Sequence, residues 1–367
     1  MKKVLPIFGV LLLSVGSLFI LSGFSTKMDF PHPIVATPGL LPDSHPILFT
    51  QENINNFKSH HEAVEALLKK LNGKLDYQPT PMKVMDLAPH YTSTGTNDNK
   101  MAKLFQNDSR MAYSFALGYA VSNNAAFARK AQEIIDAWSK TLEKVTTKQS
   151  EDEINFNVPY LVIGAALVKD EGNWDTKPFS SFLQNIALPA SAQANTNNHG
   201  LWGIFMESTI YAWLGDNHGM TKIRKRWMDH LQHSIDDSGV MPNEIQRSGT
   251  TNWHGGPDKG IKGLAYTHFA LLPATLAAVI FEQSGMPVWK TPSGERLEKA
   301  FVQAAAWTRN PETFPYYKSN NGKLVGVNND SYFVILNKIY PNADATWLIK
   351  NTELGMDGFQ LKNFFSY

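Results

Sequence analysis

Apolar residues recur at helical spacing, not in alternation, along most of this chain. Val64, Leu67, Leu68 and Leu71 mark one face of a helix over 60–71, with Ser59 placed to cap it. Met111, Phe115, Leu117, Tyr119 and Val121, followed by Ile134, Ile135 and Trp138, predict a helical hairpin over 108–142. Its break falls at Ser122, Asn123 and Asn124. A helix over 156–168 has Asn157 and Pro159 suited to its start, and one over 174–188 ends at Pro189. Further helices are expected over 199–214, 221–235, 265–281 and 297–307, with Pro273 kinking the third of these.

Between them, 239–247 reads as a short extended piece. The Pro-rich stretch 27–58 reads as an extended arm, not a helix, and the aromatic-rich 359–367 as strand or coil. Residues 73–103 are polar and turn-like, and 89–100 has no apolar period. Loops of that length in an enzyme are uncommon unless they serve a purpose. A lid over a cleft would bring Tyr77 and Tyr91 to a ligand; a plain mobile loop is the competing reading. The expected fold is all-α: antiparallel helical hairpins packed in series as a solenoid or an incomplete (α/α) toroid.

Composition narrows the class. The chain has 367 residues, 43% hydrophobic and 18% charged, enough for a sizeable core. A formal net charge of +1 gives no global case for nucleic acid, so any anion site must be local. There are no cysteines, which excludes disulfides, thiolate metal sites and thiol nucleophiles. Lys2 and Lys3 precede an apolar run over 5–21, and Ser22, Gly23 and Ser25 follow it. Residues 1–25 therefore read as a secretion signal or a retained N-terminal membrane anchor. Residues 26–367 read as one domain, expected to be monomeric and periplasmic or secreted.

The densest chemistry lies in 195–203, NTNNHGLWG. One side chain suffices to cap a helix, and this run supplies several amides, a hydroxyl and an imidazole. Asn198 and His199 open one helix, Arg247 follows the short piece, and Tyr266 and His268 open another. If same-direction helices present their starts on one face of a ring, these groups can meet. Taken singly, each has a plainer reading: a cap, a surface histidine, a solvated arginine, a core aromatic. The Gly-rich 248–263 contains neither phosphate-loop pattern, and no HExxH occurs. No metal or cofactor is called for.

Three stretches, NNHGLW (197–202), EIQR (244–247) and AYTHFAL (265–271), occur in that order, with a matching hairpin over 107–138. In these the chain resembles the alginate lyase family of (α/α)-toroid polysaccharide lyases, across roughly residues 40 to 340. The resemblance places the catalytic asparagine and histidine on Asn198 and His199, the site arginine on Arg247 and the catalytic tyrosine on Tyr266. It departs from the family in the Gly-rich stretch between Arg247 and Tyr266, and in His268, which stands one position late. It implies β-elimination in a uronate polymer: loss of the C5 proton, rupture of the bond from C4 to the glycosidic oxygen, and an unsaturated uronate at the new non-reducing end. Mannuronate-containing alginate is the substrate it implies, with glucuronate polymers as the alternative.

In that chemistry Asn198 and His199 would draw charge from the carboxylate, and Tyr266 would protonate the leaving oxygen. Where the C5 proton and leaving oxygen share a face, as in mannuronate, Tyr266 could serve as both base and acid. Where they lie on opposite faces, as in guluronate, His199 would be the base. Candidates for gripping an anionic polysaccharide are Tyr91, Arg110, Trp253, His254, Lys259, Lys262, His268, Tyr316 and Tyr317. Two other classes remain open: a glycoside hydrolase using a carboxylate pair from Glu207, Asp236, Asp237 and Glu244, and a non-catalytic polysaccharide-binding protein of the cell envelope.

Overall fold

A computed structural model describes residues 47–93, 96–250, 256–328, 330–355 and 358–365. In chain order the elements are α1 (Gln51–Ser59), α2 (His61–Asn72), β1 (Val84–Met85), α3 (Lys100–Ser122), α4 (Ala125–Thr141), β2 (Lys144–Val145), α5 (Lys148–Val168), α6 (Lys177–Phe182), α7 (Asn198–Leu214), α8 (Asn217–Ser234), α9 (Pro242–Ile245), α10 (Gly263–Gln283), α11 (Pro292–Arg309), α12 (Phe333–Ile339), α13 (Ala343–Asn351) and α14 (Leu361–Phe365). The fold is all-α. The two-residue strands β1 and β2 pair in parallel, Val84 opposite Lys144 and Met85 opposite Val145.

The helices sort by burial. α5, α7 and α10 are buried almost all round, as their near-continuous apolar sequences require. α4, α8 and α11 bury one stripe and leave the other face in water, for example Ile223, Trp227 and Leu231 on α8. α3 packs on α5, α5 on α7 and α7 on α10, while α4, α8 and α11 back them. This is the inner-and-outer arrangement of a helical toroid. The 108–142 hairpin breaks where expected: Asn123 takes the left-handed conformation (φ 57°), and the Asn124 side chain caps α4 through the Ala126 N–H.

Four expectations fail for identifiable reasons. α5 begins at Lys148, not near 156, because the Thr147 side chain caps it through the Ser150 N–H, and Pro159 sits inside the helix. The 239–247 piece contains a helical turn, α9, opened by Pro242. α1 lies within the supposed extended arm, closed by a reciprocal Thr50–Asn53 capping box. The aromatic tail forms α14, which docks on α1 with the rings of Phe49 and Phe364 stacked 3.7 Å apart. The Pro-rich 27–46 lies outside the described residues.

Candidate active site

The N-terminal halves of α3, α5, α7 and α10 open onto one cleft of about 1030 Å³. α7 brings His199 and Trp202, and α10 brings Tyr266 and Phe269. α5 brings Asp152, Glu153, Phe156 and Asn157, and α3 brings Gln106 and Arg110. Aromatic rings pave the floor. Phe156 lies 5.6 Å from the His199 ring and 5.3 Å from Phe269, and Phe269 lies 6.2 Å from Tyr266. His199 and Tyr266, 67 positions apart in sequence, thus share one wall, joined through two rings.

Why the 195–203 run contains its glycines is a matter of clearance. The loop before α7 crosses its first turns so closely that a Cβ on Gly200 would meet the Asn195 carbonyl oxygen at 2.1 Å. One on Gly203 would meet the Gln193 nitrogen at 2.3 Å. Arg226 on α8 holds the same loop from outside, donating to the carbonyls of Gln193 (2.8 Å), Ala194 (3.2 Å) and Asn195 (2.9 Å). Asn197 caps α7 through the His199 N–H.

Asn198 and His199, adjacent in sequence, turn opposite ways. The His199 side chain enters the cleft, 23% exposed, with Nδ1 2.9 Å from Asp152 Oδ1. A carboxylate accepts, so Nδ1 carries a proton in this contact and Nε2 is left as the acceptor when the ring is neutral. Lys148 Nζ lies 3.0 Å from the same Asp152 oxygen. Asn198 is wholly buried behind the wall. Its backbone N–H and its side-chain amide donate to the two oxygens of Glu244, each at 2.7 Å, and its Oδ1 has no partner. It does not reach the cleft, contrary to the expectation that it would meet a substrate carboxylate. Burial raises the Glu244 carboxyl above its usual range; Arg247, the Asn198 donors and His199 oppose that.

Arg247 lies over the Tyr266 ring, its guanidinium carbon 4.3 Å from the centroid. The Tyr266 hydroxyl is hydrogen-bonded to the hydroxyl of Tyr91, on the loop between β1 and α3. Burial and then Tyr91 push the Tyr266 phenol above its ordinary value, while Arg247 pulls it down. Lys262 approaches Tyr91 from α10's first residue side, with Nζ 3.5 Å from the hydroxyl and 5.1 Å from the ring centre. The Tyr91 loop is pinned at its base: His90 N–H donates to Gln149 Oε1 at 2.8 Å, and Leu87 N–H to Ser150 Oγ at 3.0 Å.

Of the other candidates, Tyr91, Arg110 and Lys262 line the cleft. Arg110 is exposed and lies over the ring of Tyr160, 5.9 Å away. His268 does not line it. It is fully buried, with Nδ1 3.0 Å from the Tyr332 hydroxyl and Nε2 2.9 Å from Thr308 Oγ1, and burial lowers its pKa to about 3. Its position on α10 points it to the core and Tyr266 to the cleft. Lys259, Tyr316 and Tyr317 belong instead to a small cluster around Leu264, Trp307 and Phe314, where Lys259 sits 5.6 Å over the Tyr316 ring. Trp253 and His254 lie outside the described residues. Sequence reasoning misses Asp152, Glu153 and Asn157, because the polar start of α5 reads as lying outside a helix. It also misses Gln106, which lies in α3 ahead of the apolar stripe that marks that helix. The run Ser150-Glu151-Asp152-Glu153, polar in a helix otherwise apolar, was the available signal.

The sequence matches the alginate lyase family over residues 54–314. An alginate lyase from Bacteroides ovatus superposes with a TM-score of 0.68 at 14% identity, over 89% of this chain and 99% of that one. Alginate lyase A1-III in a histidine-to-alanine apo form gives 0.63 at 15% identity, over 80% and 86%. A tyrosine-to-phenylalanine form of the same enzyme, complexed with a tetrasaccharide, gives 0.56 at 16%, over 69% and 78%. No curated protein matches the sequence significantly. At such identities the superpositions speak for the helical toroid, and the family match speaks for the chemistry. The chain belongs to the alginate lyase family and is a polysaccharide lyase.

Proposed function

We propose that this protein cleaves mannuronate-containing alginate by β-elimination, with His199 as the base and Tyr266 as the acid. The observation carrying this reading is the pairing of Asp152 with His199 on the wall that also holds Tyr266, whose phenol burial disposes to keep its proton. His199 Nε2 takes the C5 proton, the C4–C5 double bond forms, the bond from C4 to the glycosidic oxygen breaks, and Tyr266 gives its proton to that oxygen. Asp152 stabilises the imidazolium so formed. Lys262, beside Tyr91 at the mouth, offers positive charge to the sugar carboxylate as the enolate develops.

Position supports the sugar. Both reactive groups rise from the first turns of adjacent parallel-stacked inner elements, α7 and α10. Same-face elimination, as in mannuronate, can be served by one group acting as both base and acid or divided between two groups on one wall. Because burial disfavours a Tyr266 phenolate, the division made here gives the base to His199 and leaves Tyr266 the acid, in place of the double role for Tyr266 that the sequence suggested. In this reading Asn198 works from behind the wall: it fixes Glu244, and with it the segment that carries Arg247 to Tyr266.

The hydrolase alternative loses its acids. Glu244 is buried against Asn198, Glu207 is buried away from the cleft, and Asp236 and Asp237 occupy the turn before α9. The basic and apolar N-terminus supports export to the periplasm or beyond, where such polymers are met. The test is activity on polymannuronate, polyguluronate and glucuronan in parallel. Polymannuronate should be cut fastest; a clear preference for polyguluronate would overturn the one-wall assignment.

A further inference from the structure

A carboxylate is an unexpected neighbour for a polyanion, yet the cleft wall contains one without a cation. Glu153 Oε2 accepts from Gln106 Nε2 at 2.9 Å and from Asn157 Nδ2 at 3.0 Å, and Oε1 accepts from Gln149 Nε2 at 3.3 Å. Among the described residues it has no ion pair, whereas the adjacent Asp152 has both Lys148 and His199. Burial raises the Glu153 carboxyl, and the three amide donors oppose this.

The consequence lies in what the amides have left. The Gln106 and Asn157 side chains spend N–H donors on Glu153, and neither of their amide oxygens receives a donor from the described residues. All three residues line the cleft. These three side chains therefore offer the cleft mainly acceptors. Acceptors bind hydroxyls; a carboxylate placed here would meet at most the second N–H of Gln106, with Arg110 one turn along α3 lying over the Tyr160 ring, and would face the Glu153 carboxylate.

We propose that Gln106, Glu153 and Asn157 form a specificity-determining subsite for a sugar face that presents hydroxyls and no carboxylate. The proposal rests on the lyase reading and deepens it. It implies that the preferred chain either turns a uronate's carboxylate away from α3 and α5 at this position or carries a neutral hexose there.

The experiment uses alginate whose uronates have been partly and randomly converted to neutral hexoses by carboxyl reduction. The intact protein digests it, and tandem mass spectrometry sequences the product ends. The expected result is a neutral hexose enriched at one fixed distance from the cut. Glu153→Gln should abolish most of that enrichment and raise kcat/KM on unreduced alginate about threefold, through KM, since one like charge has gone. Gln106→Lys, at a half-exposed position that tolerates change, should reverse the preference and enrich uronate at the same distance. Random placement of neutral residues by the wild type, or enrichment unchanged in both variants, would overturn the subsite. A wild type that cuts no uronate polymer at all would fail the lyase reading instead, and the subsite with it.

Discussion

Asp152 Oδ1 lies 2.9 Å from His199 Nδ1, and this contact decides which nitrogen of the neutral imidazole is left as an acceptor. The pair spans α5 and α7, so the toroid's packing sets the tautomer. Asp152→Ala should lower kcat on polymannuronate by roughly tenfold to a hundredfold with little change in KM, the share expected when a base loses its orienting partner. His199→Ala should lose at least as much. Steady-state kinetics check both; an Asp152→Ala enzyme with unaltered kcat would remove Asp152 from the mechanism.

In the proposed mechanism Tyr266 acts in its protonated form, and burial and Tyr91 raise its pKa above the ordinary tyrosine value. A raised pKa moves the alkaline loss of an acid's function upward. Activity should therefore persist past pH 10, the ordinary tyrosine value, until the protein itself unfolds. Tyr266→Phe should cost about 10²- to 10⁴-fold in kcat. A wild-type rate that halves near pH 9, with the fold intact by circular dichroism, would contradict the assignment of Tyr266 as a firmly protonated acid.

Asn198 donates twice to Glu244 behind the wall, so its loss should appear as instability. The backbone N–H contact survives in Asn198→Ala, but the side-chain one does not, leaving one oxygen of a buried carboxylate without its donor. The expected cost is about 1–3 kcal/mol in denaturant unfolding. Asn198→Asp should be worse, since it sets a second carboxylate against the first. If Asn198→Ala keeps full stability and loses only kcat, the amide reaches substrate after all.

Two buried histidines predict how stability responds to acid. Burial lowers the pKa values of His268 and His230 to about 3, and both rings are under 3% exposed. Unfolded histidine titrates near 6.5. Below that value the unfolded chain binds protons that the folded chain refuses, so stability is complete above pH 6.5 and falls as pH drops toward 3. Each histidine contributes a slope of about 1.4 kcal/mol per pH unit within that window. His230→Phe should flatten the loss measured by thermal melting between pH 6 and 4. A steeper loss in the variant would show that the ring is protonated in the native state.

Much of the fold was legible because an inner helix of a toroid has a near-continuous apolar sequence and an outer helix has a stripe. The α3–α4 break at Asn123 and Asn124 follows from side-chain chemistry alone, and so does the start of α7. Where the reading failed, a local signal met a tertiary demand. Pro159 resembles a helix start, but the polar turns before it are helical and polar because they border a cleft. That is why Asp152, Glu153 and Asn157 escaped notice while His199 and Tyr266 did not. Periodicity could not separate His268 from Tyr266, two residues apart on α10, because only the ring's closure tells which side is core. Nor could it show that Asn198 and His199 part company, one behind the wall and one upon it.

The most direct measurement of the central claim is ultraviolet absorbance during incubation with polymannuronate, for the wild type, His199→Ala and Tyr266→Phe. The wild type should produce a steady rise from the new C4–C5 double bond, and either substitution should all but stop it. Chain shortening by the wild type with no such absorbance, or a rise undiminished in both variants, would contradict elimination at His199 and Tyr266.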